Sequence, residues 1–410
     1  MKKLLGITLG IMTALGGFVD FGQIVFTMQA GALFGYSLLW AIVLGTAAII
    51  VYMEMCGRVA VVAKEPVFAV VRDCLGFRFG MVVLIASNLL NLITCAAELG
   101  GIAIILQLLT GWKQKLLVLL AVMILGLIIY SFKFQWIERT FGLAGVTMCV
   151  IAVSAVALHP NWHQLAHGLI PVLAPPKHPL LYFYFAVGIF SALLMEYEVH
   201  FYSSGALEED WTPKDLGENF MVSAFGSLLG ALITVGLLVL GAMVFLPRAI
   251  FPQTLSTTMI AGAFPFAQKA LVLALLGGLA CLCGAALETA LSGAYNVCQF
   301  FNLEWGKNLS PKAVPVFTAG WVAMLVLAFG ISVSISRPLT LVNISVIFGM
   351  VVMPFTYYPI LKVASDKNIM KKHANSKADD ITGLVFLVLI TIAAAAAIPL
   401  MVLTHSGQPQ

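Results

Sequence analysis

The chain is 410 residues long, 61% hydrophobic and only 10% charged, with a net charge of +4 and a mean hydropathy of +1.02. Soluble domains carry about 25% charged residues. This chain therefore has too little charge to cover a water-soluble globule, which excludes a cytosolic enzyme, a disordered protein and a nucleic-acid-binding protein. Its seven cysteines are odd in number and sit mostly in apolar runs, so they read as small buried hydrophobes rather than a disulfide framework. The composition is that of a polytopic, all-α protein of the lipid bilayer.

A helix needs about 20 apolar residues to cross the hydrocarbon core. In chain order that predicts about eleven spans: roughly 4–31, 36–57, 79–109, 114–132, 141–158, 181–202, 220–246, 266–300, 313–334, 338–361 and 381–403. No short apolar segment with a cleavage site opens the sequence, so the first span is expected to be retained. The longest polar connections are 203–219 and 362–380. With the N-terminus in the cytoplasm, sixteen of the 22 Lys and Arg fall on the cytoplasmic side, the bias that sets orientation. An odd span count then puts Thr404–Gln410 outside. The expected organisation is one transmembrane domain over 1–410 in the plasma membrane. Segments 1–158 and 181–361 form two five-span halves, and 381–403 is an additional helix.

Charges inside a span cost about 2.5–3.5 kcal/mol each and tend to be functional. Asp20, Glu54, Glu98, Glu196, Glu198 and Glu288 fall inside the expected spans, with no Lys or Arg at comparable depth. These acids need protonation, a solvated cavity or a bound cation, which points to a cation pathway. Glu54, near the cytoplasmic end, reads as structural. Gly16, Gly17 and Gly22 flank Asp20 and weaken the helix there. In span six, Glu196, Tyr197, Glu198 and His200 interrupt an apolar run. Spans one and six each open a five-span half, and interrupted spans at matching positions mark a transporter's central site.

These residues resemble the NRAMP family of divalent-metal transporters. Gln29–Trp40 looks like the family's link between its first two helices. Asp20-Phe21-Gly22-Gln23 stands where the family has Asp-Pro-Gly-Asn, and Ala192 through Glu198 stands where it has Ala-x-x-Met-Pro-His-Asn. Asn219-Phe220 opens span seven as in the family, and Asn343 through Pro354 with Pro359 resembles its tenth helix. The resemblance implies a LeuT-like fold of two inverted five-helix repeats plus one extra helix. It further implies a metal site at Asp20, Gln23, Met195 and the Ala192 carbonyl. The family's Pro-His-Asn has become Glu196, Tyr197 and Glu198, two carboxylates that join the candidate metal set. Tyr202 aligns with a later family histidine. The family's proton route places an Asp where this chain has Cys95, keeps a Glu at Glu98, and uses arginines that span nine lacks.

Met195 favours a transition metal, whereas the added carboxylates favour Mg²⁺ or Mn²⁺. The departures resemble a family branch associated with Mg²⁺ uptake without proton coupling, so Mg²⁺ is the first expectation and Mn²⁺ the second. Residues two apart on an intact helix lie about 200° apart, so Glu196 and Glu198 share one ion only if the helix unwinds between them. Gly22, Tyr197, His200, Glu98 and Glu288 are the cavity or gating candidates. The cation is cargo, and no resident cofactor is expected. Two rivals stay open: a proton-coupled Mn²⁺/Fe²⁺ transporter of the same family, and a LeuT-fold symporter of an amino acid with Na⁺. Enzyme motifs such as His-Glu-x-x-His or Gly-x-Ser-x-Gly do not occur.

Overall fold

A computed structural model describes residues 19–172, 178–262, 264, 266–335 and 337–408. Residues 4–18 of the first expected span, Gly16 and Gly17 among them, lie outside the described residues. The chain is all-helical. Helix α1 (Phe21–Phe34) is followed by α2 (Leu39–Ala63), α3 (Val67–Leu75), α4 (Phe77–Thr110) and α5 (Gln114–Ser131). Next come α6 (Phe134–Gly145) and α7 (Val150–Ala157), joined by a 3₁₀ turn at Val146–Cys149, then the short α8 (Trp162–His167). The second part comprises α9 (Pro179–Ala192), α10 (Glu196–Glu208), α11 (Leu216–Leu240), α12 (Leu255–Ala261), α13 (Ala267–Phe300), α14 (Pro315–Ser334), α15 (Pro338–Ser365), α16 (Lys367–Met370) and α17 (Lys377–Leu403).

Among the described residues, ten helical segments are long and apolar enough to cross a membrane, and they fall on expected spans two to eleven. Helix α1 is the second part of span one. The amphipathic α3 lies in a stretch read only as a charged connection. Val67 through Val71 are buried against the bundle while Asp73 stays exposed.

Exposure follows position in the bundle. Every residue of α1 from Phe21 to Ala32 is buried, whereas α17 turns Ile381, Leu384, Val388, Ile392, Ile398 and Val402 outward. In hydrocarbon, helices associate through close packing and hydrogen bonds rather than water exclusion. Gly31 of α1 and Gly241, in a π-helical turn that continues α11, meet backbone to backbone. A Cβ on Gly31 would run into the Leu238 carbonyl, and one on Gly241 into the Met28 carbonyl.

The sixth span breaks at Leu193–Met195, just before the acidic residues rather than among them. The groups freed by the break have partners: the Tyr357 hydroxyl donates to the Leu194 carbonyl (2.8 Å), and the Leu194 N–H donates to the Ser191 carbonyl (3.0 Å). Glu196 and Glu198 then occupy the first turn of α10, where the helix dipole favours negative charge. Because α10 is unbroken from Glu196 to Glu208, the two carboxylates diverge.

Candidate metal site

Asp20 precedes α1 in extended backbone, and its Oδ1 accepts the Gln23 N–H (2.6 Å), capping the helix. That bond satisfies one of the N–H groups a helix start leaves without an intrahelical partner. A second is met from another helix: the Phe21 N–H donates to Glu98 of α4, at 3.1 Å to Oε1 and 3.4 Å to Oε2. From the broken span, the Tyr197 hydroxyl reaches Asp20 Oδ2 (3.3 Å). Asp20, Glu98 and Tyr197 therefore meet at the start of α1, all nearly or fully buried.

Gln23 is oriented by its nitrogen. Nε2 donates to Thr27 Oγ1 (3.1 Å) and to Thr234 Oγ1 of α11 (3.2 Å). Its Oε1 is buried without a hydrogen-bond partner among the described residues. Gly22 is glycine for space rather than for unwinding: a Cβ there would sit 2.8 Å from Val346 Cγ2 and 3.2 Å from Asp20 Oδ1. Ala192 is the last residue of α9. The Met195 sulfur lies against Gly349 of α15 (3.4 Å from where its Cβ would stand), one helical turn from Val346.

The two added carboxylates face different neighbours. Glu198 is within electrostatic reach of Glu288 and Asp20, and both oxygens of Glu198 and of Glu288 are buried without hydrogen-bond partners among the described residues. Glu196 turns to α15 and α4. Its Oε2 accepts from Thr356 Oγ1 (3.0 Å), and Ser87 lies beside it outside hydrogen-bonding geometry. His200 packs its ring edge-on against Phe68 at 5.0 Å, with neither ring nitrogen hydrogen-bonded among the described residues. Glu54 pairs with Arg58 (2.9 Å), away from the others.

Among the described residues, no three His, Cys, Asp or Glu side chains stand close enough together to hold a metal ion. The six expected ligands do not form one cage. Asp20, Gln23 and the hydroxyl of Tyr197 gather at the start of α1, Ala192 and Met195 flank the break, Glu198 approaches from α10, and Glu196 points elsewhere. The donors described at the start of α1 are oxygens, namely the Asp20 carboxylate, the Tyr197 phenol bonded to it and the unpartnered Gln23 Oε1, the donor type that suits hard divalent cations. A cavity of about 520 Å³ reaches Phe21, the residue after Asp20. It is lined by Phe21 together with Gln107, Gln114, Gln253, Arg337 and Asn343.

Sequence reasoning did not single out Thr27, Thr234, Ser87, Asn91, Thr94 or Thr356. A signal for some of them is present: Ser87, Asn91, Thr94 and Glu98 recur at i, i+4, i+7 and i+11, one face of a helix.

The sequence model of a family described as natural resistance-associated macrophage protein-like (Nramp) matches residues 10–399. A protein of Agrobacterium fabrum named divalent metal cation transporter MntH is 26% identical over 330 residues, 77% of this chain and 71% of its own length. A protein of the same name from Levilactobacillus brevis is 24% identical over 399 residues, 92% of this chain and 85% of its own. Among solved structures, the manganese transporter of Eremococcus coleocola bound to an aromatic bis-isothiourea compound superposes with a TM-score of 0.75 at 22% identity, covering 96% of this chain and 86% of that one. MhsT in complex with L-phenylalanine superposes at 0.66 and 14% identity, covering 98% of each chain. These likenesses show the fold, the LeuT-like arrangement expected from the sequence.

Proposed function

Because the chain belongs to the Nramp family, we propose that it carries divalent metal cations across the plasma membrane by alternating access. The observation that carries this reading is the meeting of two helix ends at one carboxylate. Asp20 caps the start of α1 while Tyr197, just past the break in span six, hydrogen-bonds its other oxygen. Broken helices facing each other near the midplane are how this fold builds an ion site. Asp20, the Gln23 Oε1 and the Ala192 carbonyl are the first contacts for the ion, with Glu198 at longer range and Met195 beside the break. The cavity next to Phe21 is the outward approach if the N-terminus is cytoplasmic, the orientation that the Lys/Arg distribution favours.

Mg²⁺ is the preferred cargo on this reading, with Mn²⁺, the metal named for the Eremococcus coleocola transporter, as the second ion. The support for Mg²⁺ is the set of oxygen donors at the start of α1, Asp20, Gln23 and Tyr197, and Glu198, one of the two carboxylates that stand where the family has Pro-His-Asn. Mg²⁺ keeps several waters and binds through one or two carboxylates, which an amide-lined cavity accommodates. The usual proton route has no acid at Cys95, whose thiol donates to the Ala286 carbonyl (3.7 Å), so transport runs without that coupling. An amino-acid substrate fits poorly, since Asp20, Glu98, Glu198 and Glu288 would repel its carboxylate.

The test is Mg²⁺ and Mn²⁺ influx into proteoliposomes with a pH-sensitive dye inside, and Asp20→Ala in parallel. Influx of Mg²⁺ without acidification, lost in the variant, is the expected result. Mn²⁺ influx with acidification and no Mg²⁺ signal overturns both the Mg²⁺ preference and the absence of coupling.

A further inference from the structure

One buried acid stands apart from the central site. Glu196 is 0% exposed and stands apart from the carboxylates that interact around Asp20. Its polar neighbours are neutral: Thr356, which donates to Oε2, and Ser87. One turn along α4 from Ser87 stands Asn91. Glu196 Oε1, Ser87 Oγ and both polar atoms of the Asn91 amide are fully buried with no hydrogen-bond partner among the described residues. Leaving such groups unsatisfied costs about 1–3 kcal/mol each, so four on adjoining surfaces of two helices point to a bound species that uses them.

Charge and donor number say what that species is. A lone carboxylate among hydroxyls and an amide carries a single negative charge. A monovalent cation balances it, whereas a divalent one would leave excess charge buried, which is costly without a counter-ion. A proton would occupy one acceptor and leave the serine and amide oxygens unused. An alkali cation takes several oxygens at once. Glu196 is also the first residue of α10, where the helix dipole favours the carboxylate's charge.

We infer that Glu196, Ser87, Asn91 and Thr356 form a second cation site, for an alkali cation with Na⁺ as the reference ion, separate from the metal site at Asp20. The site joins three helices, α4, α10 and α15, just past the break in span six. Occupancy there holds the α10 half of the broken span against α4 and α15. An inward gradient of the alkali cation thereby biases the conformational cycle that carries the metal. This inference rests on the transporter reading for its consequence, but not for its existence.

Binding of radiolabelled sodium to the purified full-length protein tests it, with potassium as competitor, on wild type, Glu196→Gln, Ser87→Ala and Asp20→Asn. Saturable binding is expected in wild type and in Asp20→Asn, weakened about tenfold or more in Glu196→Gln and by a smaller factor in Ser87→Ala, which removes no hydrogen bond of the fold. Preferential competition by potassium changes the ion but keeps the site. Absence of saturable sodium or potassium binding in wild type overturns the proposal, as does binding that neither variant weakens. In proteoliposomes, an inward sodium gradient should accelerate metal uptake in wild type and not in Glu196→Gln. Metal uptake indifferent to sodium and potassium removes the coupling role. Absence of metal uptake under every gradient counts against the transporter reading instead, and leaves the binding result to decide the site.

Discussion

Glu98 and Phe21 are joined by a hydrogen bond between a side chain in the middle of one helix and the first backbone N–H of another. Both Glu98 oxygens lie within 3.4 Å of that nitrogen, and both residues are 1% exposed. The bond fixes where α1 begins, and so where Asp20 is held. Glu98→Gln keeps an oxygen acceptor, whereas Glu98→Ala leaves a buried N–H unpaired at a cost of about 2 kcal/mol. The expected result is a clear fall in melting temperature in detergent for Glu98→Ala, with slower metal uptake. Glu98→Gln should stay close to wild type in melting. Equal melting of the two variants would mean that the Phe21 N–H finds another acceptor.

Gln23 presents its oxygen only because its nitrogen is held by Thr27 and Thr234. Thr234→Val removes one of those acceptors without touching the ion. If Gln23 Oε1 is a ligand, the KM for metal rises about 3- to 10-fold, the equivalent of roughly 1 kcal/mol, while kcat changes less. Thr27→Val with Thr234→Val should raise it further. A fall in kcat with KM unchanged would place Thr234 in the conformational step rather than in ligand orientation.

Much of the fold was legible because length and apolarity are nearly sufficient evidence for a membrane helix. Spans two to eleven lie where long apolar runs put them. The stretch that resembled the family most closely, Gln29–Trp40, proves to be a structural joint. Gln29 Nε2 donates to the Pro252 carbonyl (2.8 Å), Trp40 Nε1 donates to the Tyr182 hydroxyl (2.9 Å), and that hydroxyl donates to the Ser37 carbonyl (2.9 Å). The position of Asp20 was readable from its flanking residues, but the bond from the neighbouring Phe21 N–H to Glu98 was not. Seventy-seven residues separate Phe21 from Glu98, and no periodicity in either helix says that one starts beside the other. The pairing of Glu196 with Thr356 was hidden for the same reason. The divergence of Glu196 and Glu198 was legible, since a helix puts them on opposing faces once the break is known to precede them.

The close contact of α1 with the α11 extension depends on two glycines that face each other. Gly31→Val would press a branched side chain into the Leu238 carbonyl and the Gly241 backbone, forcing α1 away from its neighbour. Overpacking of this kind costs about 1–3 kcal/mol. Because α1 carries Asp20, reduced melting temperature and lost metal uptake should appear together. Gly217→Val is the control, since nothing lies within 4 Å of its Cβ position, and it should change neither.

Glu208 ends α10 as a clasp on the connection that follows α13. Its carboxylate accepts the Tyr295 hydroxyl (2.9 Å), the Lys307 N–H and the Asn308 N–H (3.3 Å), and the Asn308 side chain in turn accepts the Phe134 N–H (3.3 Å). One acid thereby ties the lower half of the broken span to α13 and to the start of α6. Burial pushes the Lys307 ammonium below the usual lysine range, with Glu208 opposing the shift, so removing the acid deprives that ammonium of its nearby countercharge as well. Glu208→Ala should cost about 3 kcal/mol through the unpaired donors and speed amide hydrogen exchange across residues 301–309. Glu208→Gln retains an oxygen and should lose less. If α10 swings during transport, Glu208→Ala also raises the rate at which this end of the bundle opens, read as faster modification of a cysteine introduced at Ser204. Unchanged exchange and unchanged accessibility in Glu208→Ala would show that the clasp bears no load in either process.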